Sequence, residues 1–197
     1  METPKFKNKP SDHIRYGFTS PSTGVKINQD YFISRGIAID GIIFGIRRTG
    51  IYVLVIKRSM TMRDEAGKFC VPCGYLDWDE TGYEGMTREV YEESSFYLPD
   101  YKKYLVFENN RQPFLIKDDP KSNRQNVSLI YLNVYDFTEH VEDFPQETEL
   151  YTCKETAMVK WMRIPDFVEV YKDTEWAFSH NKMILEALEF WGNHGER

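Results

Sequence analysis

Residues 74–96, GYLDWDETGYEGMTREVYEESSF, constrain the fold more than any other stretch, because they make sense only as a helix with two unlike faces. Tyr83, Met86, Val90 and Tyr97 recur at spacings of three, four and seven, the pattern of a helix buried on one side. At 100° per residue Glu89, Glu92 and Glu93 share one narrow face on the other side. Asp79, Glu80 and Thr81 place acidic and capping groups where the helix begins, which suits the positive end of its dipole. Three carboxylates on one face repel each other and cost helix stability unless cations neutralise them. Hard cations such as Mg²⁺ or Mn²⁺ take carboxylate oxygens together with phosphate and water.

The segment follows G-x5-E-x7-R-E-U-x-E-E-x-G-U, where U is a bulky apolar residue, and in this it resembles the Nudix hydrolase family. Gly74, Glu80, Arg88, Glu89, Val90, Glu92, Glu93 and Phe96 match, and Ser95 stands where the family has its last glycine. A glycine there would tolerate a left-handed backbone at the helix end, which serine adopts less readily. A solvated glutamate-rich face would explain the charges alone, but neither Gly74 nor the placement of the arginine.

The resemblance implies that Glu89, Glu92 and Glu93 ligate Mg²⁺ or Mn²⁺, with one of them a base for water, and that Arg88, Glu80 and Gly74 are the box's structural residues. It implies hydrolysis of a phosphoanhydride in a nucleoside diphosphate linked to another group, by attack of water and without a covalent intermediate. Some members use a further glutamate from the loop after the central strands. Glu147, Glu149 and Glu155 are the candidates, and Glu155 is favoured by its place before Trp161. For the substrate's phosphates the candidates are Arg58, at the end of VLVIKR, and Arg111 and Arg124, in a polar stretch after the helix. Each of these arginines taken alone is more often a solvated surface charge. Pro113 and the AFSHNKMI segment lean toward the ADP-ribose pyrophosphatase-like branch. Two alternatives stay open: a nucleoside triphosphate pyrophosphohydrolase acting on damaged nucleotides among others, and a non-catalytic nucleotide sensor. The sensor reading sits poorly with a full set of box glutamates and with so few residues after the last expected helix.

The rest of the chain is consistent with this. At 197 residues it can bury one sizeable core. The expected organisation is an irregular N-terminal arm over residues 1–32, with at most a short strand, followed by one Nudix domain over 33–197. A net charge of −6 argues against a nucleic-acid partner, whose phosphates call for clustered lysine and arginine. No apolar run approaches a membrane span and METPKFKNKPSD lacks a signal peptide's apolar core, so a soluble cytoplasmic protein is expected, acting on a small nucleotide derivative, with a homodimer left open.

Three cysteines make no disulfide framework. Cys70-Val71-Pro72-Cys73 has the spacing of half a zinc site or a redox pair, but His13, His140, His180 and His194 show no ligand spacing beside it, and the pair closes an apolar strand rather than opening a helix. The resemblance offers a plainer account. Pro72 and Gly74 match the proline and second glycine that precede the box, and Cys73 replaces the first glycine.

From Gly36, GIAIDGIIFGIRRTGIYVLVIKRS reads as two strands joined at Arg48-Thr49-Gly50. Further strands are expected over 104–108, over 127–135 as a central apolar strand, and over 157–164. Residues 108–126 are a candidate recognition loop, helical patterning resumes at Asp166, and Ser179 to Trp191 closes the chain as a helix with Met183, Ile184, Ala187, Leu188 and Trp191 on its apolar side. Strands flanked by two helices imply an α/β fold, the Nudix-type α/β/α sandwich around a mixed β-sheet.

Overall fold

The computed structural model describes residues 13–19, 24, 26–32, 36–118, 126–146, 153–164 and 175–195. Its centre is an eight-stranded sheet. β3 (Ile37–Arg47) and β4 (Gly50–Arg58) form the expected hairpin, with Gly50 at φ 131°, a conformation open to glycine. β9 (Val127–Asp136) runs parallel to β3 along ten register pairs, from Ile37 with Val127 to Ile46 with Asp136, and every other pairing is antiparallel. β10 (Thr156–Arg163) flanks β4, and β7 (Leu105–Glu108) flanks β9, giving the order β10-β4-β3-β9-β7. Three short strands attach to this path: β5 (Phe69–Cys70) to β4, β6 (Cys73–Tyr75) to β3, and β8 (Leu115–Lys117) to β9.

Both faces of the sheet are covered, which is why its strands read as nearly continuous apolar runs. Ile39 and Ile43 of β3, Leu54 and Ile56 of β4, and Tyr131 and Tyr135 of β9 point to one side, where they meet Met86 and Val90 of α1 (Gly82–Ser94). Their neighbours Ile42, Phe44, Val53, Val55, Ile130, Leu132 and Val134 point to the other side, where α2 (His180–His194) lays down Met183, Ile184 and Ala187. The period-two alternation of three adjacent strands thus builds two cores and an α/β/α sandwich. Gly41 lets α1 come close, since a β-carbon there would stand 2.7 Å from a Val90 methyl.

Several expectations need amending. The helical stripe was expected to include Tyr97, but α1 stops at Ser94. Ser95 takes the left-handed conformation (φ 60°, ψ 10°), Phe96 turns into the core, and Tyr97 is 43% exposed. Within the arm, β1 (His13–Thr19) and β2 (Lys26–Phe32) pair antiparallel from His13 with Phe32 to Thr19 with Lys26, so the stretch read as irregular holds a two-stranded ribbon. The recognition stretch 108–126 contains β8 and so is no simple loop; its residues 119–125 lie outside the described residues, as does most of the helix expected from Asp166. No helix among the described residues is long and apolar enough to cross a membrane.

Candidate active site

α1 begins where the sequence places capping chemistry. The Thr81 hydroxyl accepts the Glu84 N–H, and the Glu84 carboxylate accepts the Thr81 N–H at 2.8 Å, a complete capping box. With that start set, Met86 and Val90 lie fully buried on the sheet and the opposite side of the helix carries Arg88, Glu89 and Glu92.

Arg88 ties this side together. Its Nε and Nη2 donate to the two oxygens of Glu80 at 3.0 and 2.8 Å, a bidentate pair. Nη1 donates to Glu89 Oε1 at 2.8 Å and Glu92 Oε2 at 3.2 Å, and Nη2 also reaches the Tyr75 carbonyl at 3.0 Å. Glu80 in turn accepts the Asp77 N–H at 2.8 Å. The Arg88 guanidinium holds the Glu80 carboxyl below the usual carboxylate range and is itself raised further by it. One guanidinium therefore fixes helix, preceding loop and strand β6 to each other.

Glu89 and Glu93 sit differently. A β-carbon on Gly74 would collide with both carboxylate oxygens of Glu89, so Gly74 is the floor on which that carboxylate rests. Burial pushes the Glu89 carboxyl up, Arg88 opposes this, and the nearby charges of Glu92 and Glu155 add to the rise. Glu93, expected on the acidic face with Glu89 and Glu92, is instead buried on the side of Met86 and Val90 at 4% exposure, because seven residues bring it almost in line with Met86, and its Oε2 accepts the Cys73 N–H at 2.8 Å. Burial pushes it well up, with Cys70 the next contributor and the Cys73 N–H opposing. A carboxyl whose ionised form is disfavoured by desolvation becomes a strong ligand once a cation is present to offset that cost. The donor set, oxygen only, suits Mg²⁺ or Mn²⁺.

These side chains open on a cleft of about 610 Å³ lined by Gly74, Tyr75, Asp77, Arg88, Glu89, Glu92, Glu93, Cys153, Lys154 and Glu155. Glu155 thus joins the cleft from the residue just before β10, near enough for its charge to act on Glu89. Its backbone is held there because its carbonyl accepts the Ser59 N–H at 2.7 Å, beside a register shift in the β10–β4 pairing. Lys154 and Asp77 are lining residues that the sequence did not single out. Asp77 was visible only as one acid among several in GYLDWDE, and Lys154 only as the neighbour of Glu155.

The arginines proposed for phosphates are not brought together. Arg58 is buried outside the cleft lining, with Nε donating to the Asp64 carbonyl at 3.2 Å and its guanidinium 5.1 Å from the Phe178 ring centre. Strand pairing turns its side chain into the protein instead of toward the box. Arg111 lies over the Tyr83 ring at 5.4 Å and is not part of the lining either. Arg124, like Glu147 and Glu149, falls outside the described residues.

Comparisons with known proteins agree with this geometry. Solved structures of similar fold include the NUDIX domain of Shewanella oneidensis NrtR complexed with ADP ribose (18% identity, TM-score 0.58, 81% of this chain and 90% of that one). They also include a mutT/nudix family protein from Listeria innocua (21%, 0.58, 82% and 97%). A third is a bifunctional NMN adenylyltransferase/ADP ribose pyrophosphatase from Francisella tularensis complexed with AMP and a Mn ion (18%, 0.60, 81% of this chain but 42% of that longer one). No curated protein matches the sequence significantly. The family model for the NUDIX domain matches residues 34–186, which take in the eight-stranded sheet, α1, the first half of α2 and the whole cleft, and the chain belongs to the Nudix family.

Proposed function

We propose that the cleft hydrolyses a phosphoanhydride bond in a nucleoside diphosphate linked to another moiety, an ADP-ribose-like or nucleotide-sugar-like molecule, with Mg²⁺ or Mn²⁺ as the required cation. One observation carries this reading: five carboxylates, Asp77, Glu89, Glu92, Glu93 and Glu155, line a single cleft, and two of them, Glu89 and Glu93, are held where ionisation is costly without a cation. Glu89, Glu92 and Glu93 are the residues that would hold the metal. When bound, it would lower the pKa of water and screen the charge of the diphosphate.

The chain's own groups account for the rest. Arg88 and Glu80 fix where Glu89 stands, and Gly74 leaves the room it needs. Glu155 is free of the Arg88 network and reaches the cleft from β10's side, so it is the group placed to accept a proton from attacking water. Lys154, beside it, takes the part of the phosphate-facing cation in place of Arg58. The ADP ribose held by the Shewanella relative and the activity named for the Francisella one support a nucleoside diphosphate derivative.

The test is a panel of diphosphate-linked nucleotides and nucleoside triphosphates, assayed with Mg²⁺ or Mn²⁺ beside Glu93→Gln. Wild-type turnover of at least one diphosphate-linked nucleotide is expected, with a loss of about 10²-fold or more in the variant, the smaller end of what a positioned acid–base or ligand group contributes. Release of pyrophosphate from triphosphates alone would assign the other hydrolase class. A protein that binds a nucleotide but turns over nothing would be a sensor, a reading favoured by the likeness to Shewanella oneidensis NrtR, which has been seen with ADP ribose and with a 27mer DNA.

A further inference from the structure

A second set of metal-ligating side chains lies beside the cleft, on the Cys70–Cys73 pair that hydrolysis does not use. β5 ends on Cys70 and β6 begins on Cys73, and only Val71 and Pro72 separate them. In sequence no histidine stands at ligand spacing from the pair. In the fold, His180 at the first turn of α2 packs against it, and the Cys70, Cys73 and His180 donor atoms lie within 4.8 Å of one another. Both cysteines are free thiols.

The imidazole is already oriented as a ligand. Its Nε2 stands 3.3 Å from Asp40 Oδ1, and its Nδ1 accepts the Val71 N–H at 3.1 Å, which only a neutral ring with its proton on Nε2 can do. The one lone pair of Nδ1 therefore points at the CxxC segment, where it is shared with the Val71 N–H, and a metal would take the place of that N–H. Asp40 is 3% exposed and faces Cys73 across the β3–β6 pairing, and its Oδ2 has no hydrogen-bond partner among the described residues. A carboxylate is rarely kept in a core half-satisfied unless a charge nearby compensates it. Carboxylate, imidazole and metal in that order is a recurrent way of fixing a histidine ligand.

We propose that Cys70, Cys73 and His180 form a three-ligand site for a soft divalent cation of the zinc type, with Asp40 as the positioning carboxylate behind His180. Thiolates select soft cations over Mg²⁺, so this site and the oxygen-only cleft would hold different metals. Tetrahedral coordination needs donor separations of roughly 3.3–3.8 Å, so the three donors, now within 4.8 Å, draw together by at most about 1.5 Å on binding, and water takes the fourth position. Both thiols release their protons to solvent as the metal–sulfur bonds form, and the two thiolates cancel the charge of the ion. The ion would join β5, β6 and the start of α2. It would also brace Cys73, whose N–H holds Glu93, and so the floor of the cleft.

The test is metal stoichiometry on the full chain, purified without chelator from zinc-supplemented cells and measured by elemental analysis in excess Mg²⁺. One zinc per chain is expected, retained in Glu92→Gln and lost in Cys73→Ser. Cobalt titration of the metal-free wild-type protein gives a second readout that needs no variant to fold. Thiolate-to-cobalt charge-transfer absorption and strong tetrahedral d–d bands should saturate at one equivalent. Asp40→Asn should weaken cobalt binding by about 10- to 100-fold, the usual effect of removing a ligand's supporting carboxylate. Substoichiometric zinc with three titratable thiols and no thiolate bands would overturn the proposal. So would a Cys70–Cys73 disulfide in the purified protein that persists in place of metal.

Discussion

Gly74→Ala separates the role of the cleft floor from that of the fold. Gly74 pairs with Ile39 in the β3–β6 ladder and its backbone is not among the positive-φ glycines, so alanine is sterically allowed in the strand itself. The three atoms nearest the new methyl all belong to the Glu89 carboxylate, the far end of a flexible side chain, which must swing aside by about 1 Å to restore van der Waals contact. That movement breaks the 2.8 Å Arg88–Glu89 hydrogen bond. A charge-assisted bond of this kind contributes about 1.5–3 kcal/mol, and chain entropy returns about 0.4–1 kcal/mol when glycine becomes alanine. The net stability cost is then about 0.5–2.5 kcal/mol, within reach of a folded protein. Activity responds far more, because a displacement of about 1 Å in a positioned group costs on the order of 10²-fold. The assay pairs urea denaturation with steady-state turnover of the diphosphate substrate found in the panel. Near-wild-type turnover in a folded Gly74→Ala protein would refute the placement of Glu89 as a fixed ligand. A loss of more than about 4 kcal/mol would mean that Gly74 serves packing rather than the cleft, since so large a loss needs core disruption.

Three further outcomes follow from the same geometry. Arg88→Met leaves the mostly buried carboxylates of Glu80 and Glu89 without their cation and should cost about 3 kcal/mol by urea denaturation, the low end for breaking a buried pair because Arg88 itself is partly exposed; an effect below 1 kcal/mol would reduce the network to a surface feature. Ser95→Gly relieves a left-handed residue and should stabilise by about 0.5–1 kcal/mol in the same assay, after allowing for glycine's greater unfolded entropy, with unchanged or lower stability contradicting the strain. Because Glu93 is raised in the folded state, that state binds its proton more tightly than the unfolded chain, so this group's contribution to stability falls as pH rises above about 4.3. Metal-free Glu93→Gln should therefore lose less stability than wild type between pH 4.5 and 7.5, and saturating Mg²⁺ should narrow the difference; parallel melting-temperature profiles would rule out the buried carboxylate as the source.

What could be read from the sequence was whatever rests on local spacing: α1 and its caps, the β3–β4 hairpin, the apolar strand β9, the late strand β10 and α2. Met86, Val90, Thr81 and the Arg88–Glu89–Glu92 spacing are local, and the structure places them as periodicity and capping chemistry require. Tyr97 shows the limit of that rule. Its spacing continues the stripe only if the helix continues, and one left-handed residue at Ser95 ends the helix and gives the core position to Phe96. The ribbon of β1 and β2 and the short β8 were hidden for another reason: the alternation of Ile14, Tyr16 and Phe18 is brief and flanked by Pro10, Pro21 and Gly24, and Leu115 to Lys117 is too short a run to stand out from its polar surroundings.

Residues that meet across the sheet were legible only in part. Arg58 was placed by its position at a strand end, but whether a strand-end side chain faces a cleft or the interior depends on which neighbours cover it, here the carbonyl of Asp64 and the ring of Phe178. His180 makes the point most sharply, since Val71 and His180 are 109 positions apart and yet share a hydrogen bond. Spacing rules for metal ligands detect pairs carried on one turn, such as Cys70 and Cys73, and are blind to a third ligand delivered by another element. The same blindness separated Gly74 from Glu89, though both belong to one motif. The motif records that a glycine is needed, and only the packing of β6 under α1 explains that the missing side chain is the space in which the carboxylate sits.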